Sequence, residues 1–156
     1  MADSALVDVA DAIFRVLNVP SLTAPDPFGA GAVGGVHDQP IVDGTQTPYA
    51  FPFVWYELAA ERQAGGLGAG PWLLEIDIRI HVFSQSRGMQ EAQRIVQEAV
   101  RLLRGVERYG TLDVAGWAWL YGPHDATLSL PFELLNGVAV RELVAENRGY
   151  VQEAIA

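Results

Sequence analysis

The chain contains no cysteine, and all ten of its basic residues are arginine. Without Cys there is no disulfide, thiolate nucleophile, zinc ribbon or iron–sulfur cluster. Without Lys there is neither a Schiff-base amine nor a P-loop clamp. Bases are scarce altogether: nineteen acids against ten arginines give a net charge of −9. A domain this acidic lacks the basic footprint that tight nucleic-acid binding requires. No run of eighteen apolar residues occurs, so no membrane span is expected. The opening MADSALVDVA carries acids and no basic n-region, so no signal peptide is expected. What is present is 156 residues, half of them apolar and 19% charged, the size and balance of a single domain with a buried core.

Residues 4–18 read as a helix. Leu6, Val9, Ala10, Ile13, Val16 and Leu17 keep the spacing of one buried face, and Asp3 or Ser4 can cap the start. Asp8, Asp11 and Arg15 make a narrow polar arc, while Val7 and Phe14 fall outside the apolar stripe, so this helix is expected to touch something on two sides. Pro20, Pro25 and Pro27 end it. Residues 19–50 are rich in Pro and Gly and poor in periodic apolar positions, which predicts a long irregular, mobile loop. Within it, 35–37 and 41–42 could supply an edge strand, and deletion of Gly29–Gly34 is expected to leave the fold intact.

Pro52–Leu58 is β-branched and aromatic, a strand, and 60–70 reads as a flexible turn. The clearest pattern follows: Leu74, Ile76, Ile78, Ile80 and Val82 alternate with Glu75, Asp77, Arg79 and His81. That is an antiparallel strand with one apolar and one ionisable face. From Trp72 to Ser84 it would run roughly 40 Å and is expected to outrun its sheet. Residues 86–104 form a second helix, with Met89, Ala92, Val96, Ala99 and Leu103 in one line and Gly105 as the stop. Further strands are expected near 111–121, 127–133 and 138–146, with Asn136-Gly137 as a hairpin turn. Helix, strands, helix, strands predicts an α+β domain over 1–156, a mostly antiparallel sheet with two helices packed on one face.

Catalytic patterns are weak. His37-Asp38 and His124-Asp125 lie in loops or strand ends, and neither predicted helix holds a His, so they read as turn formers and no metal is expected. Glu75 and Asp77 share a strand face and could divide acid and base roles. Because Arg79 and His81 continue the same row, a charged interface or a solvated face suits them better. The Gly-rich 29–35 lacks the flanking strand and helix of a dinucleotide fingerprint. Ser84 and Ser86 occupy no nucleophile elbow, and Trp117 and Trp119 share a strand face suited to a core or an interface. No cofactor is expected. Charge is more informative: 87–108 holds five Arg and three Glu, net +2, which leaves −11 on the remainder. A basic strip on an acidic body favours contact between copies or with an acidic partner.

The run from His81 to Ile95, HVFSQSRGMQEAQRI, resembles the tail-completion, or tail-terminator, proteins of long-tailed bacteriophages and related gene-transfer particles. Their pattern is a strand ending in an apolar-aromatic-Ser step, a basic-Gly turn, and a helix with Glu-Ala near its start and Leu near its end. Here Val82, Phe83, Ser84, Arg87, Gly88, Glu91, Ala92, Leu102 and Leu103 supply it. The N-terminal helix, the loop and the strand from Pro52 to Glu57 fit in order, although the likeness is close only over 72–105. The 19–50 loop is long for the family, and the C-terminal end carries no matching pattern.

The resemblance implies a structural protein that catalyses nothing. It would form a homo-oligomeric ring, commonly a hexamer, on the last ring of tail-tube protein, stop tube growth and offer a surface to the head–tail connector protein. DNA would pass through the lumen without specific binding, and the protein would reside in the tail or neck of the virion after assembly in the host cytoplasm. Expected contacts between copies are Glu75, Asp77, Arg79, Arg87, Arg94 and Arg101, and contacts with partner rings are Phe28, Gly29, Val33, Gly66 and Leu67. A head-closure or adaptor protein of the same connector would share these traits. A small ligand-binding or enzymatic α+β domain would instead need a deep pocket with converging polar groups.

Overall fold

The computed structural model describes residues 5–38, 50–65, 73–86, 89–109, 117–121, 126–129, 133–135 and 138–153. They form an α+β fold: α1 (Ala5–Leu17), α2 (Pro20–Thr23), β1 (Val36–His37), β2 (Phe53–Gly65), β3 (Leu73–Ser84), α3 (Gln90–Tyr109), β4 (Trp117–Tyr121), β5 (Ala126–Ser129), β6 (Glu133–Leu135) and β7 (Val138–Glu153). The strand order is β1-β2-β3-β7-β4, and β5 and β6 also pair with β7. Only β1 with β2 is parallel; the other pairings are antiparallel.

Alternation along β3 decides what is buried. Ile76, Ile78, Ile80 and Val82 point into a core shared with Val54 and Tyr56 of β2 and with Leu143 and Ala145 of β7. The same core takes Val9, Ala12, Ile13 and Leu17 from α1 and Ala92, Ile95, Val96, Ala99 and Leu103 from α3. Each buried Ile, Leu or Val gains about 1.5–3 kcal/mol over an exposed one. Leucine, isoleucine and valine at these spacings therefore dominate the fold.

Four expectations are corrected. The central strand does not overhang: β3 pairs with β2 from Leu73 to Phe83 and with β7 from Leu73 to Ser84, so both neighbours match its length. The strand β2 continues through 60–65, where a turn is expected, with register shifts at Leu58/Ala60 and Gln63/Gly65 of the kind a β-bulge produces. Helix α3 passes through Gly105 and ends at Tyr109, because a glycine within a helix costs only about 1 kcal/mol relative to alanine.

The fourth concerns 19–38, which is built in and not a dispensable arm. Leu22, Ala30, Ala32 and Val36 belong to the core. The amides of Ala30, Gly31 and Ala32 donate to the carbonyls of Ser21, Ala24 and Leu22 at 2.8–3.0 Å, and Gly34 donates to Pro52. A Cβ at Gly29 would overlap the Pro20 carbonyl oxygen, and one at Gly34 the Ala50 oxygen. Glycine is present because backbone approaches backbone. Removing 29–34 would strip two core alanines and their hydrogen bonds. Residues 39–49, including Ile41 and Val42, lie outside the described residues.

Candidate functional site

The face of the sheet opposite the core is set by register. Glu75, Asp77, Arg79, His81 and Phe83 of β3 stand opposite Tyr150, Arg148, Glu146, Val144 and Glu142 of β7. On the other side Phe53, Trp55 and Glu57 of β2 stand opposite Phe83, His81 and Arg79. The side chains then close a ladder. The Arg148 Nε lies 2.8 Å from Glu75 and 3.1 Å from Asp77. Arg79 reaches Glu146 at 3.5 Å and Glu57 at 3.9 Å. These groups are partly exposed, so each pair contributes at most about 1 kcal/mol. They link the three strands through shared guanidinium groups. One guanidinium is thus shared between Glu75 and Asp77.

His81 sits at the centre and is only 8% exposed. Its Nδ1 is 2.6 Å from Glu142 and its Nε2 is 2.9 Å from Glu57. The Trp55 ring stacks on it at 4.1 Å with an interplanar angle of 21°. Burial disfavours the charged imidazolium, but hydrogen bonds to Glu142 and Glu57 and their negative charges prevail, and the pKa is raised above 6.5. Only the imidazolium can donate from both nitrogens. With both nitrogens engaged, His81 fastens β2, β3 and β7 together; it presents no lone pair to a metal or a substrate. Beside it Phe53 and Phe83 stack at 4.9 Å.

The second group of expected residues lies on the braced loop after α2. Phe28 is 82% exposed and Val33 51% exposed, whereas Gly29 is partly covered. Asp26, two residues before Phe28, binds Arg94 of α3 at 3.1 Å, which ties the loop to that helix. Arg101 pairs with Glu98 at 2.6 Å, and that guanidinium, ahead of burial, holds the Glu98 carboxyl below its usual range. Arg87, Gly66 and Leu67 lie outside the described residues.

Thus Glu75, Asp77 and Arg79 come together on the sheet, Phe28, Gly29 and Val33 on the loop, and Arg94 links the loop to α3. The sequence reading left out Glu57, Glu142, Glu146 and Arg148. Their signal was present, since Glu142, Val144, Glu146, Arg148 and Tyr150 repeat with period two. Among the described residues no group of three His, Asp or Glu is placed to hold a metal ion, and no helix is long and apolar enough to cross a membrane.

No family model and no curated protein matches the chain in sequence. Among solved structures, a chain from the virion of a native gene transfer agent particle is similar, with a TM-score of 0.66 and 17% identity. The match covers 96% of this chain and 99% of that one. At that identity the likeness is one of fold, extending almost end to end in both proteins.

Proposed function

We propose that the chain is a structural component of a phage-type or gene-transfer particle, and within it the terminator of the tail tube. In this reading it forms a homo-oligomeric ring, a hexamer, at the head-proximal end of the tube, stops growth and presents its other side to the head–tail connector. The observation that carries the reading is the fold shared with a gene transfer agent virion chain over nearly the full length of both. The Ser84–Glu91 step between β3 and α3, where the sequence resembles tail terminators, is compatible with it.

The residues support assembly more readily than reaction. The sheet face is a ladder of internally paired charges, and Phe28 projects from the hydrogen-bonded loop as an apolar knob of the kind that anchors in a partner's pocket. Phe28 and Val33 then face an adjacent ring, while Arg94 and Arg101 lie between copies. A surplus of nine negative charges suits a conduit through which phosphate must slide without sticking.

Deletion of the gene in a particle-producing host tests the role. Electron microscopy is expected to show tubes of uncontrolled length without heads. Tails of normal length beside closed, detached heads would assign the chain to the head side of the connector. Normal particles would overturn the proposal.

A further inference from the structure

The charged groups of the sheet face pair within the chain, but the outward side of α1 is built differently. Val7 is 58% and Phe14 37% exposed. Seven residues apart, they lie on one line of the helix with Asp11 between them. Asp8, Asp11, Phe14 and Arg15 line a shallow groove of about 400 Å³. One edge of the Phe14 ring rests on Tyr56, and the rest of it faces outward with Val7. Two exposed apolar residues alone would be ordinary. The second helix supplies the complement.

The outward face of α3 shows Gln90, Gln93, Arg94, Gln97 and Arg101, all exposed, and no exposed acid on the described part of the helix. Glu98 is held by Arg101 and largely covered, and Glu91 accepts from Ser84. The Arg94–Asp26 pair is exposed on both sides and contributes little, whereas Arg101 grips Glu98 through two bonds, at 2.9 and 2.6 Å, with its own guanidinium still exposed. Each guanidinium has five donors and can take a further acceptor.

We infer that the Val7–Asp11–Phe14 face of α1 docks on the Arg94–Gln97–Arg101 face of α3 in a second copy of this chain. Val7 and Phe14 rest on the alkyl stems of the Gln and Arg side chains, and Asp11 meets a guanidinium. Within one copy α1 packs beside α3 and over β2 and β1, and α3 lies over β3, β7 and β4, so the outward faces of the two helices are separate surfaces. The two faces are different patches, so the contact runs head to tail and leaves one of each open until a ring closes. The inference rests on the ring reading above and assigns its subunit contact.

The absence of cysteine makes the test direct. The double variant Phe14→Cys with Gln97→Cys, treated with a short bismaleimide, is expected to give a ladder of covalent oligomers. A mixture of the two single variants should stop at dimers, and each single variant alone should stay uncrosslinked. Dimers from Phe14→Cys alone would set α1 against α1 and overturn the contact. Val7→Glu, at the more exposed of the two positions, should raise the dissociation constant at least tenfold in sedimentation equilibrium with little change in Tm. Asp11→Arg and Arg101→Asp should each weaken association and together restore it; weakening without restoration counts against the pairing. Rings seen by electron microscopy without 14–97 crosslinks would overturn this contact and leave the ring reading standing. A chain that stays at monomer mass at millimolar concentration overturns the contact whatever the deletion phenotype, and that phenotype judges the ring role separately.

Discussion

Both ring nitrogens of His81 face carboxylates, so its proton is held by Glu142 and Glu57 against the cost of burial. A pKa raised in the folded state has a defined consequence for stability. The contribution is fully present below the unfolded value of about 6.5 and is lost as pH rises through the higher folded value. The stability difference between the parent and His81→Gln is therefore expected to shrink as pH rises through that window, in urea melts at a series of pH values. Glu142→Gln removes the closer carboxylate and should lower the His81 pKa, read from its imidazole resonances. An unchanged titration in that variant would show that Glu142 does not hold the proton. Tyr56, on the core side of β2, is shifted by a different balance: burial first, then the charges of Asp38 and Asp11, push its phenol up to about 12.

At the scale of elements, the junction of β3 and α3 turns on one hydroxyl. Ser84 is fully buried; its Oγ donates to Glu91 at 2.7 Å and accepts the Ser86 amide at 3.0 Å. Ser84→Ala is expected to destabilise the fold by about 1–3 kcal/mol, since a partly buried carboxylate and an amide both lose a partner. Denaturant titration checks this, and Ser84→Thr should recover part of the loss if the hydroxyl is the cause. The residues that specify such elements differ in how plainly the sequence declares them. The alternation of β3 and the apolar lines of α1 and α3 were legible because each element buries one face. The far half of β7 was not: Asn147, Arg148 and Gly149 discourage a strand locally, yet they pair with Ile78, Asp77 and Ile76. Pairing with β3 overrides propensity there, and Asn147 is buried with its amide donating to the Ala145 carbonyl. Half of the charged face is harder to read, because the period-two repeat marks Glu146 and Arg148 as one strand face but only the register brings them and Glu57 to Arg79 and Asp77. The loop at 19–38 was misread because alanine and glycine carry little periodic signal even when, like Ala30 and Ala32, they are core.

For the whole molecule, the net charge of −9 and the local attraction between α1 and α3 pull in opposite directions. Their ranges differ, and salt separates them. A domain of this length has a radius of gyration of about 15 Å, so touching copies have centres about 35 Å apart. The Debye length is about 30 Å at 0.01 M salt, 10 Å at 0.1 M and 3 Å at 1 M. At 0.01 M screening is weakest and the like-charged copies repel. Near 0.1 M that repulsion is screened across the centre-to-centre distance, while an Asp11–Arg pair at contact keeps much of its attraction. At 1 M the pair itself is screened, and only the apolar contact of Val7 and Phe14 remains. Self-association is therefore expected to be weakest at 0.01 M, strongest near 0.1–0.2 M and weaker again at 1 M, in sedimentation velocity at fixed protein concentration. Asp11→Asn should abolish the decline at high salt and leave the low-salt repulsion in place. A monotonic rise with salt in the parent would mean that apolar contact alone joins the copies and that the arginines of α3 are merely solvated.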